Sequence, residues 1–176
     1  MSVNIKGHLI IIGGAEDKTG ESVILKQAKE MLADDDVLTV LTTATEDPFE
    51  VGKNYKQVFT RLGISKIQII NINTRDDANN AEINKLIKNS KCIFITGGDQ
   101  LRLTSILGGT AAYNAIKKVY FSGGLIMGTS AGASVMSSTM VVQGDDNEPA
   151  KKCTLKMAPG LDRKSTRLNS SHRIRS

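Results

Sequence analysis

Residues 125–133 read LIMGTSAGA, and this stretch governs how the rest of the chain is interpreted. An apolar run ends at Gly128, Ser130 stands between two glycines, and small residues follow. This order is typical of a strand, a sharp turn and a helix, in which the turn presents a serine hydroxyl above the sheet. Bulky neighbours would clash with the sheet, the helix or a ligand, so Gly128 and Gly132 suit the geometry. We interpret residues 125–133 as a nucleophile elbow.

The elbow pattern taken alone has two interpretations. A helix behind the turn offers unpaired backbone N–H groups, which can stabilise the oxyanion that forms when a hydroxyl attacks a carbonyl. A glycine-rich turn of the same shape can instead pack closely against a neighbour or hold a phosphate without covalent chemistry. The five-residue pattern leaves both open, so the remaining sequence has to separate them.

The chain around the elbow alternates between short apolar runs and amphipathic segments. This alternation predicts an α/β protein with a doubly wound, largely parallel sheet, because parallel strands need helical crossovers. We predict strands at residues 8–12, 37–41, 66–70 and 91–96 and in the apolar half of the elbow, with two more at 139–143 and 152–157. We predict helices at residues 21–33, 48–62, 80–89, 100–107 and 110–120, and a polar connection at 71–79.

Local patterns predict where helices start and which faces are buried. Asp47 precedes Pro48, and Glu50 follows three residues after the cap, which indicates a capped helix start. Asp99 is expected to cap the helix that follows it. We expect the first strand to be buried, and the inward faces to contain Val23, Ile24, Ala28, Met31 and Leu32 on the first helix and Ile83, Leu86 and Ile87 on the helix at 80–89.

Three glycine-rich turns follow predicted strands, at residues 13–17, 97–100 and 128–132. In open α/β sheets ligands collect at the carboxyl ends of the strands, so these turns should converge on one site. Gly98 can then supply one oxyanion N–H and Ala131 another. The convergence favours the catalytic interpretation of the elbow serine.

The net charge of +5 does not indicate a nucleic-acid-binding protein. Residues 162–176 hold five of the 23 basic and one of the 18 acidic residues, which leaves a net charge of +1 for residues 1–161. The main part of the chain therefore has no general attraction for nucleic acid or anionic lipid. No apolar run reaches the roughly 18 residues needed to span a membrane, and no secretory leader is visible, so we expect a cytoplasmic protein.

No metal ion or organic cofactor is predicted. Cys92 and Cys153 are too few and too isolated for a disulfide framework or a zinc site, and Cys92 is expected to be a buried thiol. The acidic loop at residues 144–148 is expected to be solvated rather than to bind a cation. The turn at residues 13–17 departs from the dinucleotide pattern GxGxxG, and its two carboxylates would repel phosphate.

Three motifs in order resemble the cyanophycinase and aspartyl dipeptidase family of serine peptidases. They are GGAEDK at residues 13–18, ITGGDQ at 95–100 and GTSAGAS at 128–134, and MAPGL at 157–161 also fits. The resemblance covers about residues 7–161 and favours the cyanophycinase branch. It implies a fold like that of class I glutamine amidotransferases, which is a flavodoxin-like three-layer sandwich.

The resemblance also implies roles for individual residues. Ser130 would be the nucleophile, Gly98 and Ala131 would form the oxyanion hole, and Gln100 and Asp99 would contact substrate, Gln100 on its aspartyl part. The implied reaction is hydrolysis of cyanophycin, the β-linked aspartate-arginine polymer, to β-Asp-Arg dipeptides through an acyl-enzyme, without a cofactor and in a possible homodimer. The acidic residues nearest the predicted site, as candidates for holding the substrate arginine, are Glu16, Asp17 and Asp99.

The family's general base is not found where the resemblance implies it. A histidine is expected after the region of residues 157–161, with an acid later, but the chain has only His8 and His172. His8 begins the first strand, at the wrong end of the sheet, and His172 lies in a Ser/Arg-rich run that resembles no folding element. We expect one peptidase domain at residues 1–161 that is incomplete at its C-terminus, a disordered aberrant tail at 162–176, an exposed apolar sheet edge and little activity.

Two alternatives to a cyanophycinase stay open. One is an aspartyl dipeptidase of the same family, acting on short aspartyl peptides. The other is a non-catalytic relative that uses the three glycine turns to hold a carboxylate or amide ligand. Labelling of Ser130 by a serine-reactive phosphonate would argue against the second.

Overall fold

The computed structural model describes residues 7–137, 139–143 and 156–161. The strands are β1 His8–Ile12, β2 Leu38–Leu41, β3 Ile67–Ile70, β4 Cys92–Ile95, β5 Leu125–Thr129, β6 Thr139–Gln143 and β7 Lys156–Pro159. The helices are α1 Val23–Met31, α2 Pro48–Arg61, α3 Arg75–Asn79, α4 Ala81–Lys88, α5 Gln100–Leu107, α6 Ala111–Phe121 and α7 Ala131–Ser134.

The first five strands form one parallel sheet in the order β1-β5-β4-β2-β3. Helices connect successive strands, as parallel pairing requires. The predicted α/β fold with a parallel sheet is confirmed. Strands β6 and β7 pair antiparallel in a separate two-stranded sheet. The described strand β7, Lys156–Pro159, overlaps the strand predicted at residues 152–157, and residues 152–155 lie outside the described part of the chain.

Hydrophobic clusters lie on both faces of the sheet, because successive strand side chains point to opposite sides. Along β4, Ile93 and Ile95 join one cluster while Cys92 and Phe94 join the other. The first cluster contains buried residues of α3 to α7, and the second contains those of α1 and α2. The result is a three-layer arrangement with helices on both faces of the sheet.

The predicted helix caps are present. The side chain of Asp47 accepts a hydrogen bond from the backbone N–H of Glu50 at 3.1 Å, and Pro48 is the first residue of α2. Residues 71–79 are not merely the polar connection expected, because α3 forms within them. A capping box holds its start, in which Thr74 and Asp77 exchange side-chain to backbone hydrogen bonds.

Strand β1 is not buried as expected. Leu9 is 47% exposed and Ile11 is 66% exposed. The reason is its position, since within the described residues β1 pairs only with β5 and lies at the edge of the sheet. An edge strand keeps unpaired N–H and C=O groups along one side.

Two predicted helix faces are rotated in the structure. On α1, Leu25 and Ala28 are buried, whereas Val23 is 60% exposed and Ile24 is 46% exposed. At 100° per residue, a face centred between Leu25 and Ala28 places Val23 on the opposite side of the helix and Ile24 at the margin of the face. On α4, Ile87 is buried as predicted, but its neighbour Leu86, which was predicted to face inward, is 45% exposed.

The structure describes Cys92 but not the other segments that the sequence singles out by their composition. Cys92 is fully buried, as predicted, and burial raises the pKa of its thiol. Cys153, the acidic loop at residues 144–148 and the tail at 162–176 lie outside the described residues. Of the helices in the described ranges, none combines the length and apolar character needed to cross a bilayer.

Candidate active site

Ser130 occupies the sharp turn that the sequence predicts. Strand β5 ends at Thr129, α7 begins at Ala131, and Ser130 between them has φ 50° and ψ −113°. A positive φ at a residue with a Cβ is strained, at a cost of order 1–3 kcal/mol. The N–H of Ser130 donates to the carbonyl oxygen of Ile12 at 3.0 Å, and the residue itself is exposed. The strained turn thus leaves Ser130 exposed at the carboxyl end of β5.

The two glycines of the elbow are required by close backbone approaches. A Cβ added to Gly128 would lie 2.5 Å from the carbonyl of Gly132. One added to Gly132 would lie 2.2 Å from the carbonyl oxygen of Ile95, on the neighbouring strand β4. Both separations are far below contact distance, so any larger residue would push α7 off the sheet.

The other two glycine-rich turns flank Ser130. A Cβ on Gly14 would lie 3.5 Å from the Cβ of Ser130, and one on Gly97 would lie 3.3 Å from it. The Oγ of Ser130 would be 4.0 Å and 3.9 Å from these two positions. The three turns therefore meet at the carboxyl ends of β1, β4 and β5, around one hydroxyl.

The turn after β4 carries the predicted oxyanion residue Gly98. Gly98 has φ +139°, and a Cβ there would lie 2.1 Å from the carbonyl oxygen of Ala44. Only glycine fits such a position. Ala131 is buried and is the first residue of α7, and the first N–H groups of a helix have no partner within it. Gly98 follows Gly97, which lies against Ser130, and Ala131 directly follows Ser130.

Asp99 and Gln100, the predicted substrate contacts, lie at the start of α5. Oδ1 of Asp99 accepts hydrogen bonds from the backbone N–H of Leu101 at 2.8 Å and of Arg102 at 3.1 Å. Asp99 therefore caps α5, as the sequence predicts, while its side chain remains exposed. Gln100 is half-buried and follows directly on the turn that touches Ser130.

Glu16, which the sequence indicates only as one of three acidic residues near the predicted site, has a defined set of contacts in the structure. Its side chain is only 2% exposed. Thr129 Oγ1 donates to Glu16 Oε2 at 2.5 Å, and the hydroxyl of Tyr55 donates to Oε1. Lys18 Nζ lies 3.3 Å from Oε1. Burial raises the pKa of Glu16, but the hydrogen bonds from Thr129 and Tyr55 outweigh it, and the pKa is lowered overall.

Asp17 shapes the loop that carries Glu16. Its carboxylate accepts hydrogen bonds from the backbone N–H groups of Thr19 at 3.0 Å, Gly20 at 2.7 Å and Ser22 at 2.9 Å. These backbone donors lower the pKa of Asp17. The carboxylate of Asp17 is therefore used in hydrogen bonds within its own loop. The sequence alone does not distinguish its role from that of Glu16, because the two carboxylates are neighbours in the same turn.

His8 lies far from Ser130. In the parallel pairing of β1 with β5, His8 is level with Leu125, whereas Ile12 is level with Thr129. These two levels are about 13 Å apart at the usual rise of a strand. His8 is thus at the opposite end of the sheet, as the sequence predicts, and His172 lies outside the described residues.

Comparison with known proteins gives a consistent family. Residues 9–162 match the model described as Peptidase family S51. A cyanophycinase of Trichormus variabilis is 32% identical over 158 residues, and one of Synechococcus elongatus is 34% identical over 160 residues. Each alignment covers 89% of this chain, but only 53% and 49% of the respective relative. The chain therefore spans about half the length of these curated relatives.

A solved structure supports the same relationship. The crystal structure of a peptidase from an acI-B1 Actinobacterium superposes with a TM-score of 0.65 at 27% sequence identity. The superposition covers 78% of this chain and 59% of that one.

Proposed function

The chain belongs to peptidase family S51, and from this membership we propose that it acts as a serine-type peptidase with Ser130 as its nucleophile. The observation that carries the proposal is the strained turn at Ser130, flanked by Gly14 and Gly97. Glycines on both sides leave space for a carbonyl group to approach the hydroxyl. A turn that served packing alone would not need to keep its serine exposed.

The proposed reaction begins with attack of Ser130 Oγ on a backbone carbonyl of the substrate. The negative charge that forms on the carbonyl oxygen is stabilised by the N–H groups of Gly98 and Ala131. The amine departs with a proton, leaving an acyl group on Ser130, and water then releases the acid. Both oxyanion donors are backbone groups fixed by neighbouring turns, so they need little reorganisation during the reaction.

Attack requires a base that removes the proton of Ser130, most often an imidazole. His8, the histidine within the described ranges, is at the wrong end of the sheet for this. We therefore expect slow hydrolysis by the 176-residue chain, because Ser130 would attack without a positioned base to activate it. The substitution His8→Ala is expected to leave that rate unchanged.

The proposed substrate is cyanophycin, and the products are β-Asp-Arg dipeptides. Support comes from the two cyanophycinases that are 32% and 34% identical to this chain. We propose that Gln100 contacts the aspartyl part and that the exposed carboxylate of Asp99 helps to hold the arginine. Both follow the turn whose first glycine touches Ser130.

The first test is the dependence of hydrolysis on Ser130. Incubation of the protein with insoluble cyanophycin is expected to release β-Asp-Arg, measured by mass spectrometry, and Ser130→Ala is expected to lower the release to the residual level that oxyanion stabilisation and substrate binding support without a nucleophile. Ser105→Ala is the matched control, since Ser105 is an exposed serine on α5 whose hydroxyl bonds only within its helix. Equal release by the wild type and Ser130→Ala would reject the nucleophile.

An aspartyl dipeptidase is the nearest alternative, and it would cleave short Asp-X dipeptides in the same assay but not the polymer. The position of His8 also keeps a non-catalytic binding protein open. In that case Ser130→Ala would retain calorimetric binding of β-Asp-Arg, no substrate would be hydrolysed, and a phosphonate probe would not label Ser130.

A further inference from the structure

Glu16 connects three parts of the fold through one buried carboxylate. Its Oε2 accepts from Thr129 at the end of β5, and its Oε1 accepts from Tyr55 on α2. Glu16 itself lies in the turn after β1. A single side chain therefore joins the turn at residues 13–17 to both the elbow strand and a helix on one face of the sheet.

The turn after β1 holds the elbow at two successive residues. The carbonyl oxygen of Ile12 accepts from the N–H of Ser130 at 3.0 Å. Glu16 Oε2 accepts from the hydroxyl of the preceding residue, Thr129, at 2.5 Å. Gly14, between them in sequence, lies against Ser130. Any shift of this turn relative to β5 would change where the Ser130 hydroxyl points.

The chemistry of the contact calls for an ionised carboxylate. Thr129 and Tyr55 both donate, so each needs an acceptor, and an ionised carboxylate supplies two acceptor oxygens. A glutamine would present an NH₂ group to one of these hydroxyls, which would then have to accept instead of donate, and it would carry no charge to pair with Lys18. Lys18 Nζ, 3.3 Å from Oε1 and 4.8 Å from the centre of the Tyr55 ring, supplies the compensating charge from the solvent side.

We infer that Glu16 is a positioning residue that fixes the nucleophile elbow through Thr129, and this inference rests on the proposed function of Ser130. The Glu16 side chain is only 2% exposed, so its proposed action on the site is through Thr129. It holds Thr129, and through the Thr129–Ser130 peptide it maintains the backbone conformation that aims the Ser130 hydroxyl between Gly14 and Gly97.

A pair of matched variants separates positioning from general stabilisation. Thr129→Val and Tyr55→Phe each remove one hydroxyl that donates to the same carboxylate, and each keeps the shape of the side chain. Both should therefore reduce stability against urea to a similar extent. Only Thr129→Val releases the elbow. Thr129→Ser keeps the hydroxyl and is the conservative rescue.

The first readout is the rate at which a fluorophosphonate probe labels Ser130 in the full chain, followed by mass spectrometry. Thr129→Val is expected to label about tenfold more slowly, and Tyr55→Phe and Thr129→Ser within about twofold of the wild type. Labelling of Thr129→Val at the wild-type rate would overturn the inference. So would slowing in Thr129→Val and Tyr55→Phe alike, because that would reflect lost stability.

The second readout does not depend on reactivity. Hydrogen–deuterium exchange over residues 128–133 is expected to be faster in Thr129→Val than in Tyr55→Phe, because only the first variant frees the elbow backbone. If the wild type is not labelled at all, the proposed nucleophile is rejected, while hydrogen–deuterium exchange still tests whether the Thr129–Glu16 hydrogen bond holds the elbow. Equal exchange of the elbow in both variants would overturn the positioning role of Glu16.

Discussion

The carboxylate of Glu16 is kept ionised in a buried place by the donors around it. Burial raises its pKa, whereas the hydrogen bonds from Thr129 and Tyr55 and the charge of Lys18 lower it, and the lowering prevails. A group with a lowered pKa in the folded state contributes stability above its unfolded pKa. That contribution is lost as the pH falls through the folded pKa. The hydrogen bond between Thr129 and Glu16 is therefore expected to weaken at acid pH, and with it the support that Glu16 gives to the elbow.

Glu16→Gln gives a prediction with a defined sign. The difference in unfolding free energy between the wild type and Glu16→Gln is expected to be largest at neutral pH and to shrink once the pH falls below about 4.5, the ordinary value for glutamate. Urea unfolding at neutral and acid pH measures it. Glu46→Gln, at an exposed position, is the control. A difference that grows toward acid pH would contradict an ionised Glu16 in the folded protein.

At the residue scale the sequence predicts the part of the site that is local. Ser130 and its two glycines are visible because one short stretch contains the strand, the turn and the helix start. The contact of Glu16 with the elbow could not be predicted, because its partner Thr129 is 113 residues away and only the pairing of β1 with β5 brings them together.

At the element scale, α5 depends on a residue that is also a proposed substrate contact. Asp99 caps this helix with one carboxylate oxygen, and replacing such a cap by alanine costs about 1 kcal/mol. Asparagine caps nearly as well but carries no charge. The two substitutions therefore separate the structural use of Asp99 from a use of its charge.

Asp99→Ala is expected to lower the free energy of unfolding by about 1 kcal/mol, and Asp99→Asn by only a few tenths. Urea denaturation measures both. Asp99→Asn is also expected to raise the KM for an arginine-bearing aspartyl peptide while it leaves kcat nearly unchanged, because only binding to the arginine is weakened. An unchanged KM in this stable variant would show that Asp99 serves as a cap alone.

Elements with strong local patterns agree with the sequence, and those decided by neighbours do not. Strands β2 and β4 are apolar runs with every residue buried, and both were predicted. Helix α3 was missed because it has five residues and no apolar stripe, so its capping box carried the only signal. The exposure of β1 follows from its place at the sheet edge, which no property of residues 8–12 reveals.

At the scale of the whole molecule, the open side of β1 favours association between copies. Leu9 and Ile11 are exposed beside backbone groups that pair with no other strand of the described residues, and an apolar edge strand is a template for pairing with another chain. Ile11→Lys is expected to reduce self-association, because a lysine on an edge opposes pairing. Analytical ultracentrifugation over a range of concentrations measures it.

Phe49→Lys is the matched control for the edge substitution. Phe49 is 74% exposed, even more than Ile11, but it lies on α2 rather than on a sheet edge. If exposed apolar area alone drove association, the two substitutions would act equally. Equal effects, or no effect of Ile11→Lys, would exclude the β1 edge as the contact between copies.

The sheet order also affects how the chain is made. Strand β1 is synthesised first, yet its partner β5 follows only after the stretch of 113 residues that separates Glu16 from Thr129. At the usual speed of a ribosome this takes roughly 6 to 23 s. Throughout that interval residues 8–12 have no strand beside them, and the candidate active centre cannot assemble. Translation of residues 125–131 is therefore the step that both pairs β1 with β5 and brings Ser130 to the turns after β1 and β4.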